Sequence, residues 1–311
     1  MRAHFVDANP ALALLAQRLH AEASDRFDLA LGRPDITPVE LPEALDGAEI
    51  AVIDHTALPI DVAERCRGLR HVVFLGTGAR SYMDPEALAE LGIGVHIIKG
   101  YGDTAVAECA MGLLWDAAKG YARMDRGMRA GQWLRTEGLQ LTGKTLGLIG
   151  FGGIAAEMVR LARGIGMQVL AWNRTPKAHP GVRFVELDEL LGHSDAVSLH
   201  LLLDDTTRGF LSKERIASMR RGAILVNTAR GALVDEDAMV EALRSGHLSH
   251  AGLDVYTIEP MPEGHVLTTL PNVTLSAHSA FRTPEANANL IEAALVHCRR
   301  IVEEADAQNR G

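Results

Sequence analysis

Thr145-Leu146-Gly147-Leu148-Ile149-Gly150-Phe151-Gly152-Gly153-Ile154-Ala155 is the stretch on which the reading of this chain turns. A short apolar run ends at a glycine, and the glycines give way at once to a helical pattern from Ile154 to Ile165. Strand, tight turn and helix in that order are the context that gives a G-x-G-x-x-G/A loop its meaning. Gly150 permits the turn, Gly152 lets backbone approach a diphosphate, and small Ala155 allows close helix–strand packing. Gly153 and Ile154 open the helix, whose first N–H groups lack intrahelical partners and face an anion. The loop predicts a dinucleotide site.

Outward from it, strand-like runs at 168–172, 196–200, 223–227, 250–254 and 273–276 alternate with helix-like segments, among them 213–219 and 235–245. Continuous apolar strands separated by helices are what a parallel sheet covered on both faces requires. Upstream, 50–53, 71–75 and 95–98 repeat the pattern more weakly. The prediction is an α/β protein of two doubly wound parallel-sheet domains, a Rossmann-type cofactor domain inserted into a flavodoxin-like substrate domain. Lys99-Gly100-Tyr101-Gly102 reads as a hinge before a helix over 104–119, and Thr283-Pro284 starts a helix reaching Asp306. The expected boundaries are 1–99 with 282–311 for the substrate domain and 100–281 for the dinucleotide domain.

A length of 311 residues agrees with two cores rather than one. The net charge of −9 offers no general attraction to nucleic acid or anionic lipid, so neither partner is expected. Met1 to Leu15 is interrupted by Asp7, Asn9 and Pro10 and lacks the apolar run of a secretory signal, and no stretch is apolar enough to span a bilayer. Cys66, Cys109 and Cys298 are far apart and show no metal-ligand spacing. Free thiols, no metal and a cytoplasmic location follow as expectations.

About 20 residues after the loop a carboxylate is expected to receive the adenosine ribose hydroxyls. This chain has Trp172-Asn173-Arg174-Thr175 there. Nothing in it repels a 2′-phosphate, and the Arg174 guanidinium suits one, so NADP is favoured over NAD.

Asn227-Thr228-Ala229-Arg230-Gly231 follows one predicted strand, Asp254 ends a second with Glu259 shortly beyond, and His278 follows a third. In an open parallel sheet those carboxyl ends converge on the ligand crevice. A proton-donating imidazole, a carboxylate partner and a guanidinium form a complementary set.

From about Gly76 to Thr283 the chain resembles the D-isomer-specific 2-hydroxyacid dehydrogenases. The most specific stretches are 224–235, Gly252-Leu253-Asp254-Val255-Tyr256 with Glu259-Pro260, and Leu270-Pro271-Asn272-Val273 leading to His278. The resemblance implies that Arg230, Glu259 and His278 are catalytic, that Thr228 and Asp254 meet the nicotinamide side of the cofactor, and that Thr104 meets its phosphates. His200, Leu201, Thr207 and Ala229 complete the implied cofactor contacts. The loop Leu75-Gly76-Thr77-Gly78-Ala79 is implied to hold the substrate carboxylate. Arg80, Tyr82 and Met83 just beyond it read as a solvated loop, with pocket lining as the weaker alternative. A short 2-oxo acid such as glyoxylate or hydroxypyruvate is the implied substrate, and a homodimer the implied assembly. The apolar face over 104–123 (Met111, Leu114, Trp115 and Ala118) suits a subunit interface and intramolecular core equally. The alternative on the same fold is a dinucleotide-sensing binding protein or corepressor. Where the family usually has proline, this chain has Leu202 and Ala277, which removes a fixed φ from two loops.

Overall fold

The computed structural model describes residues 1–23, 25–175 and 177–308, so the expected 282–311 segment is described as far as Gln308. By its internal contacts the chain divides into two compact units, Met1–Gly102 with Thr283–Gly311, and Asp103–Arg282.

The first unit runs β1 (Arg2–Phe5), α1 (Pro10–Ala23), β2 (Asp28–Leu31), α2 (Leu41–Ala44), β3 (Ile50–Ile53), α3 (Ile60–Ala63), β4 (His71–Phe74), α4 (Pro85–Glu90) and β5 (Gly94–Ile97), and is completed by the C-terminal helix Pro284–Gln308. Its sheet is parallel throughout in the order β2-β1-β3-β4-β5. That is the flavodoxin-type order, in which the second strand lies outside the first. Ile50 to Ile53 are buried on both sides of the sheet. One face packs on Leu12 and Ala16 of α1 and on Leu290, Ile291, Leu295 and Ile301 of the C-terminal helix. The other face packs on Leu41, Val62 and Leu88, from the three short helices. Asp84 starts α4 as its cap, its carboxylate accepting from Glu86 N and Ala87 N.

The second unit contains α5 (Asp103–Lys119), α6 (Tyr121–Arg129), β6 (Thr145–Ile149), α7 (Gly153–Gly164), β7 (Gln168–Trp172), β8 (Arg183–Phe184), α8 (Leu187–His193), β9 (Ala196–Leu199), α9 (Lys213–Ser218), β10 (Ala223–Asn227), α10 (Glu236–Arg244), β11 (Leu248–Leu253) and β12 (Val273–Leu275); the C-terminal helix is α11. Its seven strands lie in the order β12-β11-β10-β9-β6-β7-β8, all parallel. Counted from β6, the order reverses between the first and fourth strands, which is the Rossmann arrangement and puts its switch point beside the Gly150 turn. Leu146 and Leu148 face α5 and α7, while Ile149 joins Leu225 and Leu253 against α8, α9 and α10. Both halves of the α/β expectation hold.

The expected strands and helices of the second unit fall within a residue or two of those observed, helped by caps such as Asp235, whose carboxylate accepts from Ala238 N. The sequence reading missed β1, α1 and β2, because Arg2–Phe5 and Asp28–Leu31 carry only two or three apolar residues each. It ended the helix at Lys119 as observed but named neither α6 after it nor β8 and α8 further on. Gly120 sits at φ 71, a left-handed conformation that ends the helix at Lys119 and lets α6 leave in a new direction. Asp116 holds that corner, accepting from Ala122 N and from the Thr274 hydroxyl of β12.

Among the described residues no helix is long and apolar enough to cross a membrane. The three cysteines are free thiols. Burial pushes the Cys109 thiol up to about 11 and that of Cys298 up to about 12, so neither presents a thiolate near neutral pH.

Candidate active site

The cofactor loop is built from both ends. Gly150 lies at φ 88, and a Cβ there would come within 2.6 Å of His200 O, so only glycine permits the turn to press on the chain leaving β9. At Gly152 a Cβ would meet nothing within 4 Å, which leaves open space in front of the α7 N-terminus. Phe151, between them, is gripped on two sides. Its N–H donates to Asn173 Oδ1 at 3.0 Å and its carbonyl accepts from Lys177 Nζ at 2.5 Å. Asn173 Nδ2 donates to Thr175 O, so this side chain braces the glycine loop with both of its polar atoms. Arg174 and Thr175 are exposed just beyond.

At the carboxyl end of β9, burial drives the His200 imidazole down to about 4 and keeps it neutral, and its buried Nε2 has no partner among the described residues. Leu201 is half-buried and Leu202 exposed, while the Thr207 hydroxyl donates to Leu202 O at 2.7 Å and ties off the loop. That internal bond supplies order where the usual proline is missing. At the end of β10 the buried Asn227 shapes the next turn, its Oδ1 accepting from Ala229 N and its Nδ2 donating to Arg230 O. The Thr228 hydroxyl is buried and unpartnered among the described residues. A polar atom buried without a partner is costly unless a ligand completes it. The open cradle at Gly152 and these two orphaned atoms at adjacent strand ends fit the phosphates and polar edges of a dinucleotide.

Arg230 is half-buried with Nη1 donating to Ala229 O, and Gly231 lies so close to the Tyr256–Thr257 backbone that any side chain there would collide with it. The arginine turn is thereby packed on the loop that carries Glu259. Tyr256 N donates to Glu259 Oε1 at 2.8 Å, and the other carboxylate oxygen, Oε2, lies 2.6 Å from His278 Nδ1. An ionised carboxylate only accepts, so Nδ1 carries the proton and Nε2 is left for chemistry. The pair stays wet, with 37% of the His278 side chain and 33% of the Glu259 side chain exposed.

His278 has φ 48, unusual for a residue with a side chain. Asp254 makes that turn tenable. Its carboxylate is completely buried and accepts from Ser276 Oγ and Ser279 N through Oδ1 and from Ala280 N through Oδ2. Its carbonyl accepts from His278 N at 2.8 Å. Tyr256 adds a clamp, its hydroxyl donating toward Leu253 O and Ser276 O. Burial pushes that phenol up to about 12, so it remains a donor.

The structure therefore brings His278 and Glu259 into contact and seats Arg230 against their loop. Asp254 is turned into the 276–280 turn with no exposed surface. Asn227, Tyr256 and Ser276 were not singled out for a role by sequence; only Asn227, a strand-ending Asn before a turn, carried a readable signal. Thr104 is exposed in the first turn of α5.

In the first unit, Gly76 follows β4 at φ 145, Thr77 is exposed, Gly78 is half-buried and Ala79 is buried. Of the weaker candidates there, Met83 is a correction. It is 6% exposed and belongs to the hydrophobic core with Leu58 and Leu88, because the turn after Ala79 directs it inward. Arg80 pairs with Glu86.

Residues 111–280 match a family described as D-isomer specific 2-hydroxyacid dehydrogenase, NAD binding domain. A hydroxypyruvate reductase of Thermotoga maritima is 37% identical over 254 residues, covering 79% of this chain and 82% of that protein. A glyoxylate reductase of Aeropyrum pernix is 32% identical over 288 residues, covering 88% and 84%. Among solved structures, the TT0316 protein of Thermus thermophilus superposes with a TM-score of 0.84 at 36% identity, covering 94% of each chain. With a Rossmann sheet, an open glycine cradle and an imidazole–carboxylate pair at its strand ends, the chain belongs to the D-isomer-specific 2-hydroxyacid dehydrogenases and is an oxidoreductase using a nicotinamide dinucleotide.

Proposed function

We propose that this enzyme reduces a short 2-oxo acid of the glyoxylate or hydroxypyruvate type to its D-2-hydroxy acid, with NADPH as the preferred donor. The observation that carries the catalytic assignment is the 2.6 Å contact between His278 Nδ1 and a Glu259 carboxylate already fixed by Tyr256 N. A bound nicotinamide supplies the hydride to the carbonyl carbon. Negative charge then grows on the carbonyl oxygen, and His278 Nε2 delivers a proton there. Glu259 stabilises the imidazolium and holds the ring in one tautomer. Arg230 holds the substrate carboxylate and polarises the carbonyl through its planar fork of donors. Asp254 acts through the turn it braces. The cofactor contacts are assigned to Thr104, the Gly150–Ile154 loop, the 173–175 segment, His200, Leu201, Thr207, Thr228 and Ala229, and the first unit's Gly76–Ala79 turn is proposed as a carboxylate-binding turn. The hydroxypyruvate and glyoxylate reductases among the relatives support this substrate class.

The assay is NADPH oxidation by the purified protein against a panel of 2-oxo acids. Turnover on one or more short members supports the reading. Dinucleotide binding without turnover on any member overturns it in favour of a dinucleotide-sensing protein.

The cofactor preference rests on Arg174 and on the absence of a carboxylate from the segment after β7. Arg174→Ala is expected to weaken NADPH about tenfold or more and NADH less than twofold, measured by quenching of protein fluorescence. Equal losses for both cofactors would remove the preference.

We also propose a homodimer, through the surface of α5, α6 and β12. Met111, Leu114 and Ala118, named above as interface candidates, are buried in the second unit's own core, since that face of α5 packs on α7 and the sheet. Trp115 (41% exposed) remains available, together with Tyr121, Met128, Trp133 (75% exposed) and Leu275. Exposed aromatic side chains on this scale mark an association surface. Sedimentation at micromolar concentration is expected to give a dimer that Trp133→Asp converts toward monomer; a monomeric native protein refutes the assembly.

A further inference from the structure

At the N-terminus of α7, the Asp103 carboxylate of α5 lies directly against Gly153, in the space a Cβ there would occupy. Asp103 is the first residue of α5, and Glu157 lies one turn along α7 from Gly153. One acidic side chain thus lies at the helix end that the open cradle at Gly152 presents to a diphosphate, with a second a turn further along. Burial, and secondarily the Glu157 charge, push the Asp103 carboxyl up from its ordinary range. Glu157 is itself engaged by Arg160, with Nη2 to Oε2 at 2.9 Å, whereas a diphosphate would bring further negative charge to the same helix end.

We propose that Asp103 sets the dinucleotide affinity of this enzyme by sharing the α7 N-terminus with the cofactor's diphosphate and opposing it. The inference rests on the dinucleotide reading of the Gly150–Ile154 loop. A carboxylate at a helix N-terminus is favoured by the unpartnered N–H groups and the dipole there. A bound diphosphate draws on the same groups. The two anions compete for one positive helix end, and at such separation their repulsion is only partly screened. The effect falls on the shared diphosphate, so it is blind to the 2′-phosphate and distinct from the role given to Arg174. In an oxidoreductase that must release its spent cofactor each turnover, a built-in opposing charge shortens the residence of both redox forms.

The test measures binding of NADH, NADPH, ADP and adenosine by calorimetry to the native protein, Asp103→Asn and Asp103→Ser, without substrate. Asp103→Asn keeps the shape and removes the charge, and Asp103→Ser keeps a good first-turn residue. Both are expected to tighten NADH, NADPH and ADP about five- to twentyfold at low salt, to leave adenosine within twofold, and to lose most of the gain in 0.5 M KCl, a concentration at which the Debye length is only about 4 Å. Unchanged or weaker binding of ADP by both variants overturns the proposal, as does equal tightening of ADP and adenosine. A native protein that binds none of the four would instead defeat the dinucleotide reading of the loop.

Discussion

His278→Ala is expected to lower kcat for 2-oxo acid reduction by about a thousandfold or more while leaving NADPH affinity within about twofold. General acid catalysis contributes roughly 10²–10⁴ in rate. The loss should appear in kcat, because the proton is delivered in the transition state rather than in the bound ground state. Glu259→Gln is expected to fall short of this, since the amide still contacts Nδ1 but no longer favours the imidazolium. Single-turnover oxidation of bound NADPH separates chemistry from product release; native rates in His278→Ala would remove the imidazole from the mechanism.

Asp254→Ala is expected to act on both stability and rate. The substitution withdraws a completely buried carboxylate from three donors, the buried Ala280 N and the part-buried Ser276 Oγ and Ser279 N. Each buried donor left unsatisfied costs about 1–3 kcal/mol. If water reaches part of the gap, a net loss of about 3 kcal/mol or more remains, readable as several degrees in melting temperature. The His278 turn, held at φ 48 by those same bonds, then relaxes, so kcat should fall by about a hundredfold even at temperatures where the protein stays folded. A variant that melts early yet keeps native kcat in its folded range would show that Asp254 matters to the fold alone.

Most of the second unit was legible in the sequence because its strands are continuous apolar runs, long enough to separate from the helical pattern around them. Leu146 to Ile149 and Ile224 to Val226 are buried on both faces, and that burial is what the uninterrupted apolar text encodes. The edge of the first unit was harder to read. Arg2–Phe5 and Asp28–Leu31 are short and partly polar, and their strand character comes from pairing with each other and with Ile50–Val52. In the candidate site, the residues proposed for the chemistry could be named, since His, Glu and Arg at strand ends are visible as letters. The bonds that aim them could not. Asn173 stands where a ribose-binding carboxylate is expected, and only the structure shows its amide bracing Phe151; Asp254 is implied to meet the nicotinamide side, and only the structure shows its carboxylate holding the 276–280 turn. A side chain's choice between ligand and neighbour depends on distances that only the folded chain sets.

The partial exposure of the His278–Glu259 pair bears on where the enzyme's protons come from. An acid sealed inside a protein needs a relay of side chains or waters to be recharged after each cycle. In the mechanism proposed above, the partly exposed imidazole would be reloaded from water without such a relay. By the balance of the reaction itself, reduction removes one hydrogen ion from the medium per product molecule, and oxidation of the hydroxy acid returns one. The balance between the two directions then follows the acidity of the surroundings through mass action alone, without a dedicated sensor in the fold.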